Sequence, residues 1–206
     1  ISKLSDIIFK NSYDLIITID SPDFNYPLCK KIKENNFKKK IIQVVAPTVW
    51  AWRPSRAKKF ALIYDHLFTL FSFENKFFEK HNLKTTCIGH PIFYVKKNTY
   101  IDKKKDLIAF LPGSRSGEIK SLFRFYKYAY EILLSINPNY KIFIPTLPHL
   151  HKDIKLMTKN WLLETIISID TVEKEKLFSK SKKALVCSGT ASLEVAKRGI
   201  PQLVIY

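Results

Sequence analysis

Glycine is scarce in this chain: five in 206 residues, Gly89, Gly113, Gly117, Gly189 and Gly199. Such economy excludes flexible glycine-rich segments and puts each remaining glycine where the backbone needs φ > 0 or a close approach. Cysteine is limited to Cys29, Cys87 and Cys187, which are far apart and lack both C-x-x-C spacing and a neighbouring His cluster. That pattern excludes a disulfide scaffold and a zinc site, and predicts buried thiols in a reducing compartment. No stretch approaches the ~18 consecutive apolar residues of a membrane-spanning helix. A cytosolic or membrane-surface location is therefore expected. The chain opens on Ile1 without the charged and apolar regions of a signal peptide and ends on the strand-like Gln202 to Tyr206, so it reads as an internal fragment.

Acidic residues are also in short supply, 18 against 35 lysines and arginines, for a net charge of +17. That charge invites a nucleic-acid reading. Only Arg53, Arg56, Arg115, Arg124 and Arg198 are arginine, however, whereas base and phosphate readers lean on arginine forks. A lysine-rich solvated surface, suited to anionic substrates and anionic membranes, is the preferred reading.

What is present is a globular composition, 46% hydrophobic, in which apolar runs alternate with helix-like segments. Strands are predicted at residues 14–19, 41–46, 66–71, 85–88, 107–111, 140–144, 165–169, 184–187 and 202–205. Helices are predicted at 26–36, 55–64, 73–81, 118–137, 149–163, 172–180 and 191–198. The pattern is α/β with parallel, doubly wound sheets, several strands being solidly apolar as if covered on both faces. The charge-rich stretch 95–106 is the expected linker between a domain at 1–94 and a second at 107–206, with a ligand cleft between them at the C-terminal strand ends.

Five constellations could carry chemistry. Leu111-Pro112-Gly113-Ser114-Arg115-Ser116-Gly117-Glu118 reads as strand, glycine loop and helix start, a phosphate site to which Arg115 adds a planar donor fork. It could equally be a plain turn with Ser114 or Ser116 as helix cap. Ser188-Gly189-Thr190, followed by Glu194, repeats the pattern and could offer hydroxyls and a carboxylate to a nucleotide sugar, or again be a cap. Asp20, ending a strand in Asp20-Ser21-Pro22-Asp23-Phe24-Asn25, is placed for a general base or for a simple turn; no ligand set for a metal surrounds it. Trp50, Trp52 and Arg53, followed by Arg56, Lys58 and Lys59, suit a sugar or a lipid headgroup, or else the core. The aromatic run Phe60 to Phe78 is expected to be mainly core, with Phe73 to His81 an alternative membrane-interface segment. His90 could meet a substrate phosphate or close the domain junction.

Taken in order, the Asp20 to Asn25 segment, Pro47-Thr48-Val49-Trp50-Ala51-Trp52-Arg53, Ile88-Gly89-His90-Pro91, Leu111 to Arg115 and Ser188 to Glu194 resemble the lipid-A-disaccharide synthase family. The resemblance implies a GT-B glycosyltransferase, two Rossmann-like domains facing a cleft and both partial in this chain. It implies a UDP-2,3-diacylglucosamine donor, a 2,3-diacylglucosamine 1-phosphate acceptor, and release of UDP without a metal or other cofactor. It further implies Asp20 as general base; Gly113, Ser114, Arg115, Ser188, Gly189, Thr190 and Glu194 against UDP; and Asn25, Trp50, Trp52, Arg53 and His90 on the acceptor side. The expected setting is the cytoplasmic face of a Gram-negative inner membrane, with a homodimer left open and no nucleic-acid partner. The family's glycine- and glutamate-bearing N-terminal loop is not in the chain, so the isolated fragment is expected to be inactive. Other UDP-N-acetylglucosamine enzymes of GT-B type, or a non-enzymatic basic module, are the alternatives.

Overall fold

The computed structural model describes residues 1–94 and 106–206; of the predicted linker 95–106, all but Asp106 lies outside the described residues. The chain divides into two compact units, Ile1–Tyr94 and Val95–Tyr206.

The first unit runs α1 (Ser2–Lys10), β1 (Leu15–Ile19), α2 (Pro22–Glu34), β2 (Lys40–Val44), α3 (Ser55–Ala61), β3 (His66–Thr69), α4 (Asn75–Glu79) and β4 (Thr85–Cys87). Its four strands are parallel and lie in chain order. One face carries the core, in which Ile32, Ile41, Phe60, Leu67 and Phe78 are almost wholly buried. On the other face β1 departs from expectation: it is solidly apolar, yet Leu15, Ile17 and Ile19 are exposed. It forms one edge of the sheet, and its inward side chains Ile16 and Thr18 alternate with these outward ones. The helix α1 was not foreseen; Ile8 packs on the core and Phe9 meets Phe37 edge-on.

The second unit runs β5 (Leu107–Leu111), α5 (Ser116–Ile136), β6 (Lys141–Pro145), α6 (His151–Met157), β7 (Glu164–Ser168), α7 (Thr171–Lys180), β8 (Lys183–Cys187), α8 (Thr190–Lys197) and β9 (Gln202–Ile205). The five parallel strands are ordered β7-β6-β5-β8-β9. The central β5 is buried at every residue, because alternate side chains feed two cores. Ile108 and Phe110 join α5 and α6 on one face, while Leu107, Ala109 and Leu111 join Phe178 of α7 and Val195 of α8 on the other. The sheet is doubly wound, and its order reverses between β5 and β8. Such a switch point opens a crevice at the C-terminal strand ends.

Two predicted helices end three or more residues early. The segment expected at 149–163 leaves the helix after Met157, where Thr158 Oγ1 donates back to the Ile154 carbonyl at 2.9 Å. Trp161 then stacks on Tyr130 with ring centroids 4.4 Å apart. The predicted 55–64 helix closes at Ala61 because Ile63 and Tyr64 are wanted in the core.

Candidate functional site

The crevice between β5 and β8 measures about 420 Å³ and is lined by Gly113, Ser114 and Arg115 from one loop and Ser188, Gly189 and Thr190 from the other. Gly113 has φ +106°, and a Cβ there would stand 3.1 Å from Cys187 Sγ. The Gly113 loop thus lies close against the end of β8, in a backbone conformation that L side chains rarely adopt. Gly189 takes φ +131° and directly precedes α8. Gly117, expected to share the demand on Gly113, instead sits inside the first turn of α5 with open space where its Cβ would be.

Neither helix start is capped by a side chain among the described residues. Arg115 occupies the N-cap of α5 and Gly189 that of α8, and neither offers a side-chain acceptor to the first turn. The expectation that Ser114 or Ser116 caps α5 is therefore corrected. Uncapped first turns leave backbone N–H groups and the positive ends of two helix dipoles at the crevice, which is chemistry for an anion. The hydroxyls of Ser188 and Thr190 have no hydrogen-bond partner among the described residues and belong to exposed side chains. Arg115 is mostly exposed and bonds Glu118 at 2.5 Å; Glu194 pairs with Arg198 at 3.3 Å.

Several residues at this crevice had no sequence signal. Lys174 of α7 reaches across to donate to the Thr146 carbonyl at 2.6 Å, and no carboxylate pairs with it among the described residues. Thr146 itself is 4% exposed, and its hydroxyl has no partner among the described residues. One lysine in a lysine-rich helix cannot be singled out by pattern; only strand order brings it to the loop after β6. Below the crevice, Tyr126 of α5 donates to the Leu111 carbonyl at 2.7 Å and anchors the end of β5. Burial, and secondarily the neighbouring Cys187, drive the Tyr126 hydroxyl far above its ordinary pKa, so it stays a donor. Burial followed by the Glu118 charge likewise raises the Cys187 thiol.

In the first unit, Asp20 and Ser21 follow β1 in left-handed conformations, φ +53° and +42°, and Val45 follows β2 at +75°. Left-handed backbone is costly for such residues, above all a β-branched one. A buried clamp holds it. Gln43, wholly buried, donates to the carbonyls of Asp20, Val44 and Val45 at 2.9–3.1 Å and accepts from Thr18 Oγ1 at 2.5 Å. Asn25 adds a 2.7 Å bond to the Asp20 carbonyl and a longer one to Ile19. Asn25, expected on the substrate, is thus buried and spent on the backbone. The Asp20 side chain is exposed and makes no hydrogen bond among the described residues. The signal for Gln43 was legible in hindsight: a lone polar residue in Ile41-Ile42-Gln43-Val44-Val45.

Trp50 and Trp52 are 47% and 58% exposed, which removes core packing as their purpose. Trp50 meets Phe73 edge-on, and the Arg53 guanidinium lies 4.0 Å from the Trp52 ring centroid. Phe60, Tyr64 and Phe78 are core, as expected, while Phe73 is exposed. His90 accepts from the Ile92 N–H at 3.1 Å through Nδ1 and stacks on Phe71. It therefore serves as a local cap.

Parallel α/β units with a switch-point crevice define a class, and solved structures give it a name. The fold matches that of S. aureus MnaA with UDP, at TM-score 0.65 and 15% identity over 98% of this chain and 61% of that one. It also matches the UDP-GlcNAc 2-epimerase of Neisseria meningitidis bound to UDP-GlcNAc, at TM-score 0.63 and 14% identity over 98% of this chain and 62% of that one. Acinetobacter baumannii MurG matches at TM-score 0.60 and 11% identity, over 98% of this chain and 55% of that one. The chain has the fold of GT-B enzymes.

Within that class, a model of the lipid-A-disaccharide synthetase family matches residues 1–206, and the chain belongs to that family. The lipid-A-disaccharide synthase of Rickettsia conorii is 37% identical over 216 residues, covering 100% of this chain and 48% of the relative. That of Rhodospirillum centenum is 31% identical over 209 residues, covering 97% and 52%. The chain spans about half the length of the curated relatives it matches.

Proposed function

We propose that this chain is part of a glycosyltransferase that joins a UDP-2,3-diacylglucosamine donor to a 2,3-diacylglucosamine 1-phosphate acceptor, giving the lipid A disaccharide and UDP. The observation that carries the reading is the pair of uncapped helix N-termini meeting across Gly113 and Gly189, in a member of the lipid-A-disaccharide synthetase family. Two of its structural neighbours hold UDP or UDP-GlcNAc.

In this reading the donor diphosphate lies against the first turns of α5 and α8, with Arg115 and Lys174 supplying charge. Ser114, Ser188, Thr190 and Glu194 address the sugar and ribose hydroxyls. As the acceptor hydroxyl oxygen bonds to the anomeric carbon, the bond to UDP breaks, and the aimed N–H groups and cations stabilise the leaving diphosphate. The protein supplies this charge itself, so we assign no metal or other cofactor. The hydroxyl proton passes to Asp20, whose backbone Gln43 and Asn25 fix before substrate arrives. Trp50, Trp52 and Arg53 lie along the acceptor and the acyl-bearing membrane surface, with His90 nearby in sequence to the same unit's end. We place the enzyme on the cytoplasmic face of a Gram-negative inner membrane, where its basic exterior favours anionic lipid; a homodimer is compatible with this reading, and a nucleic-acid partner has no part in it.

Calorimetry of the chain with UDP tests the donor half. Arg115→Ala is expected to weaken UDP ten- to a hundredfold, about the worth of one charge-assisted hydrogen bond. Unchanged affinity would remove Arg115 from the site. In a full-length polypeptide containing this chain, Asp20→Asn is expected to lower kcat by roughly 10²–10⁴ while leaving UDP affinity intact. Retained kcat would exclude Asp20 as the base.

A further inference from the structure

A second cavity, of about 370 Å³, opens in the first unit between the start of α2 and α3. Arg53, Arg56 and Lys59 line it with a single carboxylate, Asp23. On its apolar side Tyr26 stacks on Phe60, with ring centroids 5.5 Å apart, flanked by Pro22 and Pro27. We propose that this cavity holds the phosphate monoester of the acceptor sugar. The inference rests on the reading of Asp20 as base to an acceptor hydroxyl.

Three observations support it. Charge comes first: three cations against one carboxylate leave the cavity at about +2, matching a phosphate monoester, which carries about −1.5 to −2 at neutral pH. Arg53 and Lys59 have no carboxylate partner among the described residues. Arg56 is bonded to Asp23, but the arginine side chain is 22% exposed and the aspartate 77%, so the guanidinium is held in place while its partner stands in solvent. Such a pair is weak, and a guanidinium has five donors, enough to keep Asp23 and take a phosphate as well.

Position comes second. One sugar ring carries both the attacking hydroxyl and the phosphate, so the two sites must lie within a sugar's width. Pro22 and Asp23, immediately after the Asp20–Ser21 turn, form part of the cavity wall. Third, the volume lies near the lower end of ligand pockets, roughly 300–1,000 Å³, suiting a sugar phosphate without its acyl chains.

The test is a titration of the chain with glucosamine 1-phosphate, followed by ¹H–¹⁵N spectra that include the arginine Nε–H signals, with glucosamine, inorganic phosphate and UDP in parallel. Saturable shifts at Arg53 and Arg56 with the sugar phosphate are expected, weaker ones with inorganic phosphate and none with glucosamine. Arg56→Gln should weaken the sugar phosphate at least tenfold and leave the UDP response at Gly113 and Gly189 unchanged. Lys59→Gln, a change on the exposed side of α3, provides the same readout should Arg56→Gln impair folding. Equal responses to glucosamine and its phosphate, wild-type affinity in both variants, or sugar-phosphate shifts confined to Gly113 and Gly189 would each overturn the proposal. Loss of UDP binding alone, with the Arg56 response intact, would instead count against the donor reading.

Discussion

A methyl group added at Gly113 would need to displace Cys187 Sγ from 3.1 Å and hold φ +106°, whereas one added at Gly117 would meet nothing within 4 Å. Gly113→Ala is expected to cost about 1–3 kcal/mol, the usual range for a residue forced into such backbone. Gly117→Ala should stabilise by roughly 0.4–1 kcal/mol by restricting the unfolded chain. Urea denaturation of both variants checks the contrast. The sequence placed both glycines in one loop and could not separate them, because the helix begins two residues earlier than its apolar period suggests. The cysteines divide as well. Cys87 is exposed, while Cys29 and Cys187 are buried, with thiols raised above their ordinary 9.0 chiefly by burial. A raised pKa keeps these two protonated at pH values where an ordinary thiol begins to ionise. Ellman's reagent at pH 8 should therefore modify one thiol of the folded chain rapidly, and all three only after unfolding.

Among elements, the strands were the most legible part of the fold, because parallel strands covered on both faces leave unbroken apolar runs such as Leu107 to Leu111. Less legible was α1, whose exposed Leu4 and Ile7 blur the helical period, and the end of α6, where a tertiary stack on Trp161 outweighs local propensity. The site divided the same way. Asp20 and the Gly113 loop stand at strand ends and are marked by residue type. Gln43, Lys174 and Tyr126 act through contacts that only the sheet order creates. Two of these yield predictions. Tyr126→Phe leaves the buried Leu111 carbonyl without its donor and should cost about 1–3 kcal/mol in urea denaturation. Gln43→Leu strips a donor shared by three carbonyls and should destabilise by at least about 1 kcal/mol. In a full-length polypeptide its kcat should fall with donor KM little changed, since the residue positions Asp20 and its side-chain hydrogen bonds run to the first unit's own residues.

On the scale of the whole molecule, the two units carry separate cores, and each gathers its candidate chemistry at the C-terminal ends of its own strands. If the Gly113–Gly189 crevice takes UDP, binding should stabilise the second unit by RT ln(1 + [L]/Kd), about 2.7 kcal/mol at a hundredfold excess over Kd. Hydrogen exchange resolves where that stabilisation falls. With UDP, amides of β5, β8 and the first turns of α5 and α8 should exchange more slowly, while those of β1 to β4 keep their rates. Glucosamine 1-phosphate should do the reverse, slowing the turn after β1 and the amides of α2 and α3. Protection by UDP centred on the Asp20–Ser21 turn would mean that donor and acceptor sites have been assigned to the wrong units, since the charge of +17 spread over this surface could attract either anion and only the built contacts decide where each one stays.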